Sequence, residues 1–299
     1  MAAAFQYPPG YLDALARPLM IGFMISAPLY GVAIAQAVYY FRAFPKDAIY
    51  VKIVVALLVL IDTIHMIIII QSYNSWFLVD LLAPVFPKPL TMNSLLTYLV
   101  MFLSQGTYAV RIWILSDKNR PVTGLVVILA VAQLVGGLVQ AIDLTMNNTF
   151  DVIQGSKIFR ISEMVELSSS LACDTVITAS MVYFLKGHNS TVQRTSQIVD
   201  KIVTYTLSVG LLTTACTAGN FIAWRVSVNT FDFLIFHFVL SKLYLNSLLV
   251  MLNSRLKFRE TLYDSTAIEL NSTGHGTTLN AQGDSKGSRG KEIDHSSKR

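Results

Sequence analysis

Residues 53–70 read IVVALLVLIDTIHMIIII, an apolar run whose few polar side chains include Asp62 and His65. A helix that crosses the hydrocarbon core of a bilayer needs about 20 mostly apolar residues, and this run approaches that length. The whole chain is 53% hydrophobic and 14% charged, a composition too apolar for an ordinary soluble fold. Because lipid cannot satisfy free backbone groups, the run predicts a membrane-spanning helix and the composition predicts a helical bundle.

Six other segments repeat this pattern, and charged or proline-containing stretches separate them. The predicted fold is therefore an all-α bundle of seven transmembrane helices, with an extracellular segment at residues 1–18 and a disordered cytoplasmic tail at residues 253–299. The predicted spans are 19–41, 53–70, 93–115, 122–142, 165–185, 202–223 and 232–252.

The distribution of basic residues predicts the orientation. Lys and Arg are concentrated in 42–52, 111–120 and 186–201 and after residue 252, and they are sparse in the connections on the other side. Positive residues remain on the cytoplasmic side, so the N-terminus is predicted outside and the C-terminus in the cytoplasm. The first eighteen residues lack the pattern of a cleaved signal peptide, which predicts that the first span targets the chain. The sequence leaves open whether the membrane is the plasma membrane or an endomembrane.

The tail combines polar low-complexity sequence with a basic start. Arg255, Lys257 and Arg259 directly follow the last predicted span, where they would contact anionic lipid of the inner leaflet or a partner protein. No basic patch interleaved with aromatic residues indicates nucleic-acid binding. The bilayer itself is thus the main predicted partner.

Polar residues inside the predicted spans form the candidate site. Charges in the hydrocarbon core are costly, so each requires a partner or a role. Lys242 can pair with either of two aspartates at similar depth, and the sequence alone leaves that choice open. The candidate intramembrane residues are Asp62, His65, Gln105, Asp174, His237, Lys242 and Asn246.

These residues admit a functional and a structural interpretation. They can form a proton relay or a polar ligand pocket, or a buried ion pair with amide hydrogen bonds that fixes helix register. We predict a non-enzymatic sensor or receptor-like protein that binds an unidentified small ligand. The alternative is a proton-coupled or small-solute transporter.

More specific classes fit the sequence less well. A retinal protein would use Lys242, but the third span has no carboxylate to act as counter-ion, and the motifs of the common G-protein-coupled receptors are missing. A membrane-embedded metal hydrolase would need local ligand spacing such as two histidines one helical turn apart, and none is present. No catalytic residue, metal site or cofactor is therefore predicted.

One modification site follows from the predicted topology. Asn147 begins the sequence Asn-Asn-Thr, an N-glycosylation signal in a predicted outside connection. Asn147 is therefore a predicted acceptor close to the end of the fourth span.

Several motifs in order carry a resemblance to a known family. They are YGVAIAQAVYYFRAFPKD at 30–47, LIDTIH at 60–65, RIWILS at 111–116 and FVLSKLYLNSLLVMLNSR at 238–255. Over residues 18–255 the chain resembles a fungal, mainly basidiomycete, family of seven-helix membrane proteins catalogued as a domain of unknown function. That family usually has Leu where Ile61 precedes the aspartate. The resemblance implies an integral membrane protein and implies no particular activity.

Overall fold

Helices account for all regular secondary structure in the described part of the chain. The computed structural model describes residues 11–74, 88–147, 155–187, 193–226 and 232–255, without the side chains of 11–16, 88, 187, 193–207 and 209. The predicted N-terminal segment up to residue 10 and the predicted tail from residue 256 lie outside these ranges. The helices are α1 (Tyr11–Ala43), α2 (Ile49–Asn74), α3 (Lys88–Leu115), α4 (Arg120–Asn147), α5 (Lys157–Gly187), α6 (Gln193–Val226) and α7 (Phe233–Arg255).

The predicted spans fall inside these seven helices apart from Asp232, which precedes α7. Among the residues described, six of the helices are long and apolar enough to cross a membrane, and α6 is the exception. The all-helical architecture is thus confirmed, and six helices have the length and apolar composition that a membrane span requires, whereas the seventh span and the orientation remain predictions. The largest difference in boundary is in α6, which begins nine residues before the predicted span 202–223, and α1 and α5 each begin eight residues before their predicted spans.

Side-chain caps mark the start of two helices. The Asn119 side-chain oxygen accepts a hydrogen bond from the Val122 backbone N–H at 3.3 Å, which caps α4. The Ser156 hydroxyl accepts one from the Phe159 N–H at 3.2 Å and caps α5. The same hydroxyl donates to the Asp143 carboxylate at 2.7 Å, so the cap of α5 is also joined to the end of α4.

The helices alternate in direction, as one apolar cluster shows. It joins the starts of α1, α3, α5 and α7 to the ends of α2 and α4, through residues such as Leu19, Ile69, Leu90 and Leu144. We call this end of the bundle the α1-start end. Two further apolar clusters fill the other half of the bundle, one around α7 and one between α3, α4 and α5.

Among the six helices long and apolar enough to cross a membrane, α7 is the most enclosed. In its apolar stretch 78% of the residues are buried, compared with 28% to 44% in the other five membrane-length helices. Those five helices instead expose large apolar side chains such as Met24, Ile67 and Ile128. A helix that exposes apolar residues on its outer surface fits a lipid environment, so these observations are consistent with an integral membrane protein.

Candidate functional site

A buried ion pair joins α2 to α7. The Lys242 amine lies 2.6 Å from Asp62 Oδ1, and neither side chain has any exposed surface. The second oxygen, Asp62 Oδ2, has no hydrogen-bond partner among the described residues. Of the two aspartates that the sequence offers to Lys242, the structure therefore places Asp62 against it.

His65 extends this pair by one helical turn of α2. Its Nδ1 lies 2.7 Å from the Lys242 amine, and its Nε2 lies 3.1 Å from the Thr97 hydroxyl on α3. An ammonium group only donates, so Nδ1 accepts and the ring proton of a neutral His65 resides on Nε2. Nε2–H then donates to Thr97, whose hydroxyl donates to the Asn93 backbone carbonyl at 3.2 Å.

We call Asp62, His65, Thr97, Ser241 and Lys242 the lysine cluster. Ser241 belongs to it because its hydroxyl lies 3.3 Å from His65 Nδ1. The cluster links three helices through groups that are fully buried. It is the part of the candidate site that concentrates opposite charges.

A second buried polar group surrounds Asp174 on α5. Asp174 Oδ2 accepts hydrogen bonds from the hydroxyls of Tyr244 on α7 at 2.5 Å and Thr217 on α6 at 3.3 Å. Its Oδ1 lies 3.4 Å from the amide nitrogen of Gln105 on α3, which also donates to Gln133 on α4 at 2.8 Å. These five residues form the aspartate cluster, which joins five helices, and none of its hydrogen bonds among the described residues involves a lysine, arginine or histidine.

The two clusters lie on opposite sides of α7. Lys242 and Tyr244 are two positions apart, which corresponds to about 200° of rotation around a helix. Lys242 contacts α2, whereas Tyr244 contacts α5. The sequence placed both aspartates at one depth, and the structure separates them into two sites.

Asn246, also predicted for the site, connects α7 to α1. Its amide nitrogen donates to the Leu29 carbonyl at 2.9 Å and to the Lys242 carbonyl at 2.8 Å. Its amide oxygen accepts from Gln36 at 3.1 Å. Asn246 therefore touches the backbone of the lysine cluster and holds two helices in register.

His237 lies nearer the α1-start end of α7. Its ring meets the Tyr98 ring edge-on with 5.6 Å between centroids, and its Nε2 has no hydrogen-bond partner among the described residues. His237 is close enough to His65 for the two rings to interact electrostatically. His237 therefore borders the lysine cluster. No hydrogen bond joins it to Lys242 among the described residues.

Two buried glutamates were absent from the sequence-based site. Glu163 and Glu166 on α5 are each only 3% exposed. The predicted span began at residue 165 and left Glu163 outside the membrane. The available signal was spacing, because Glu163, Glu166, Ser170 and Asp174 follow a helical stripe.

Glycines on α4 allow α4 and α5 to approach closely beside these glutamates. A Cβ at Gly136 would lie 2.9 Å from the Ser162 carbonyl oxygen and 3.0 Å from the Glu166 nitrogen, both backbone atoms. Next to it, Gly137 packs against the ring of Tyr98, whose hydroxyl hydrogen-bonds to Gln140. The absence of side chains at both glycines lets three helices meet closely around the glutamates.

The remaining predictions concern metals and glycosylation. In the ranges that the structure covers, no group of three or more His, Cys, Asp or Glu side chains is placed to hold a metal ion. Asn147 is the last residue of α4 and its amide donates to the Asp143 carboxylate at 2.8 Å. The following residues Asn148 and Thr149 lie outside the described ranges, so the glycosylation signal stays a prediction.

Comparison with known proteins gives one match. Residues 170–257 match DUF6534, a family of unknown function. No curated protein and no solved structure matches the chain. The matched region covers most of α5 and all of α6 and α7, including Asp174 and Lys242, while Asp62 and His65 lie outside it. Over this region the chain is similar to a family without an assigned function, and the predicted fungal origin remains a prediction.

Proposed function

We propose that this protein is a seven-span membrane sensor that binds a small ligand, with its N-terminus outside and its C-terminus in the cytoplasm. The observation that carries the proposal is the fully buried Lys242–Asp62 pair with His65 in contact. A buried ion pair is often no more stabilising than apolar side chains of the same volume, so its presence between two helices suits a switch better than a scaffold. In this proposal the pair holds α2 and α7 in one of two arrangements.

Unpartnered polar atoms near the α1-start end support a ligand site there. The side-chain amide atoms of Asn93, which also approaches His65, and the Nε2 of His237 are buried without a hydrogen bond of ordinary geometry among the described residues. Buried polar groups normally have partners, so groups without them are available to a polar ligand. Asn93 also accepts the Thr97 hydroxyl through its backbone, and Thr97 contacts His65. A ligand bound to Asn93 would therefore contact a residue that is hydrogen-bonded to Thr97, a member of the lysine cluster.

A proton-coupled or small-solute carrier is the second candidate. The observation that favours it is the series of buried carboxyls along α5, which extends from the α1-start end of the helix to Asp174. Intramembrane acids of this kind are typical of ion and proton pathways.

Labelled protein in lipid nanodiscs tests the sensor. Spin labels at Ile49 on α2 and Tyr183 on α5, which are 71% and 73% exposed, report the distance between these helices at one end of the bundle. Cys173 and Cys216 are first replaced by alanine so that only the introduced cysteines react. The double variant Lys242→Met/Asp62→Asn should shift the distance distribution, whereas Ile128→Ala on the exposed face of α4 should not.

Flux measurements distinguish the two candidates. Purified wild type in sealed liposomes should show no uptake of protons or of a panel of small solutes if the protein is a sensor. Uptake that is lost in Lys242→Met would instead establish the carrier. An unchanged distance distribution in the double variant would remove the lysine cluster as the switch.

A further inference from the structure

Three carboxyls on α5 are buried along one stripe of the helix. Glu163, Glu166 and Asp174 are 3%, 3% and 4% exposed. Spacings of three and eight residues keep them on the same side of the helix, with Ser170 between the last two. We call these three acids the carboxyl row. Its first two members belong to no part of the sensor proposal.

The titratable side chains that face the row are tyrosines and cysteines, with one arginine near Tyr108. From α3 come Tyr98 and Tyr108, and Tyr108 also lies near Arg111. The groups from α6 and α7 are Cys216 and Tyr244, and α5 itself adds Cys173. Among buried α4 residues the polar side chains are glutamines, Gln133 and Gln140.

This environment contrasts with that of Asp62. Asp62 has the Lys242 amine at 2.6 Å, whereas no salt bridge to the carboxyl row is found among the described residues. Three ionised carboxylates without a cation would be very costly in a protein interior surrounded by lipid. The row must therefore either bind a cation or carry protons.

Unpaired acceptors within the row favour protons. Among the described residues, Glu163 Oε2 is buried without a hydrogen-bond partner. Gln105 is fully buried with its nitrogen 3.4 Å from Asp174, and its Oε1 has no partner in the described part of the chain either. An ionised carboxylate only accepts hydrogen bonds, so ionisation of Glu163 would add charge to an oxygen that lacks a donor, whereas a protonated Glu163 supplies a donor itself. Asp174 Oδ2 accepts from Tyr244 and Thr217, which leaves Oδ1, with one contact of 3.4 Å to Gln105, to carry the proton.

A proton also fits the geometry of the row. The close approach of α4 and α5 at Gly136 leaves backbone atoms in near contact beside Glu166. The described residues contain no cluster suited to a metal ion. Ser170 lies 3.5 Å from the Tyr244 hydroxyl, which bonds to Asp174 at 2.5 Å, so hydroxyls continue the row to its inner member.

We propose that Glu163, Glu166 and Asp174 form a proton-binding site. All three carboxyls are protonated while the row is buried away from water. The site takes protons as its ligand and is separate from the lysine cluster, across α7. It applies whether the protein is a sensor or a carrier. Opening of the row to water would release the protons, which would make a conformational change of the bundle depend on pH.

Infrared spectroscopy of the purified protein in nanodiscs tests this site. Protonated carboxylic acids have a C=O stretch well separated from that of carboxylates, and we expect wild type to show it at neutral pH. Glu163→Gln, Glu166→Gln and Asp174→Asn should each remove one carboxyl's share of this band, and the triple variant should abolish it. Asp143→Asn, which changes a carboxylate at the end of α4 that accepts hydrogen bonds from Asn147 and Ser156, should leave it intact.

A labelling measurement on wild type tests the same site even if the variants fail to fold. Incorporation of isotope-labelled glutamate should shift part of the band, and labelled aspartate should shift the remainder. Absence of the band in wild type at neutral pH would overturn the proposal, as would a band that survives the triple variant or responds to neither label.

Discussion

Replacement of Lys242 by methionine tests the strength of the buried ion pair. Lys242→Met removes the amine 2.6 Å from Asp62 and leaves a fully buried carboxylate whose other oxygen has no hydrogen-bond partner within the described ranges. Loss of one member of a buried pair typically costs about 3–5 kcal/mol. The cost of a charge at the centre of a membrane helix, about 2.5–3.5 kcal/mol, is of the same size. We therefore expect the free energy of unfolding to fall by about 3 kcal/mol or more.

The double variant Lys242→Met/Asp62→Asn should recover most of this loss, because it leaves no isolated charge. We expect it to unfold within about 1 kcal/mol of wild type. Unfolding by SDS in mixed micelles gives the free energies, and the reaction of a thiol fluorophore with the buried Cys173 reports the transition.

The same cycle with Asp174 is the matched control. Asp174 contacts Tyr244 rather than Lys242, so Asp174→Asn should not rescue Lys242→Met and the two losses should add. Additive losses in the Asp62 cycle would refute the pair. A loss below about 1 kcal/mol in Lys242→Met would do the same, because it is too small for an isolated buried charge.

Three further outcomes follow from particular contacts. Tyr244→Phe removes the hydroxyl that bonds to the α5 aspartate and should lower the free energy of unfolding by about 1 kcal/mol in the same assay. Gly136→Ala should lower the free energy of unfolding by about 1–3 kcal/mol because the new Cβ would meet the α5 backbone. Gly124→Ala, whose Cβ would point into open space, should be neutral or slightly stabilising. Equal effects of the two variants would contradict the close approach of α4 and α5. An impermeant maleimide should label Met146→Cys in intact cells and Lys118→Cys only after permeabilisation, and the reverse pattern would invert the proposed orientation.

The helices were predictable because apolar length alone determines them. An 18-residue apolar run such as 53–70 has few alternatives to a helix in lipid. The boundaries were less predictable where polar residues begin a helix. The predicted fifth span began at residue 165 and excluded Glu163, yet Glu163 is buried inside α5, since Gly136 on α4 lets the two helices meet there.

The candidate site was predictable in composition and not in arrangement. Intramembrane charge singles out Asp62, Asp174 and Lys242 without any structure. Which aspartate pairs with Lys242 depends on the rotation of α7, and spacing along one helix does not determine its rotation against another. Tyr244 was missed as the partner of Asp174 because a tyrosine in an apolar run is equally expected as a packing residue.

The position of α7 between the two clusters determines how they can communicate. Lys242 and Tyr244 share one rigid helix and point to opposite sides of it, so a rotation of α7 changes both sets of hydrogen bonds together. Movement of Lys242 away from Asp62 would therefore also move the Tyr244 hydroxyl away from Asp174. Loss of this donor alone would disfavour ionisation of Asp174, but newly admitted water both replaces the donor and stabilises the charge, so the carboxyl ionises when water enters. Proton release from the carboxyl row and rupture of the ion pair are then two results of the same motion, and a variant that breaks only the ion pair should also weaken the infrared band of the row.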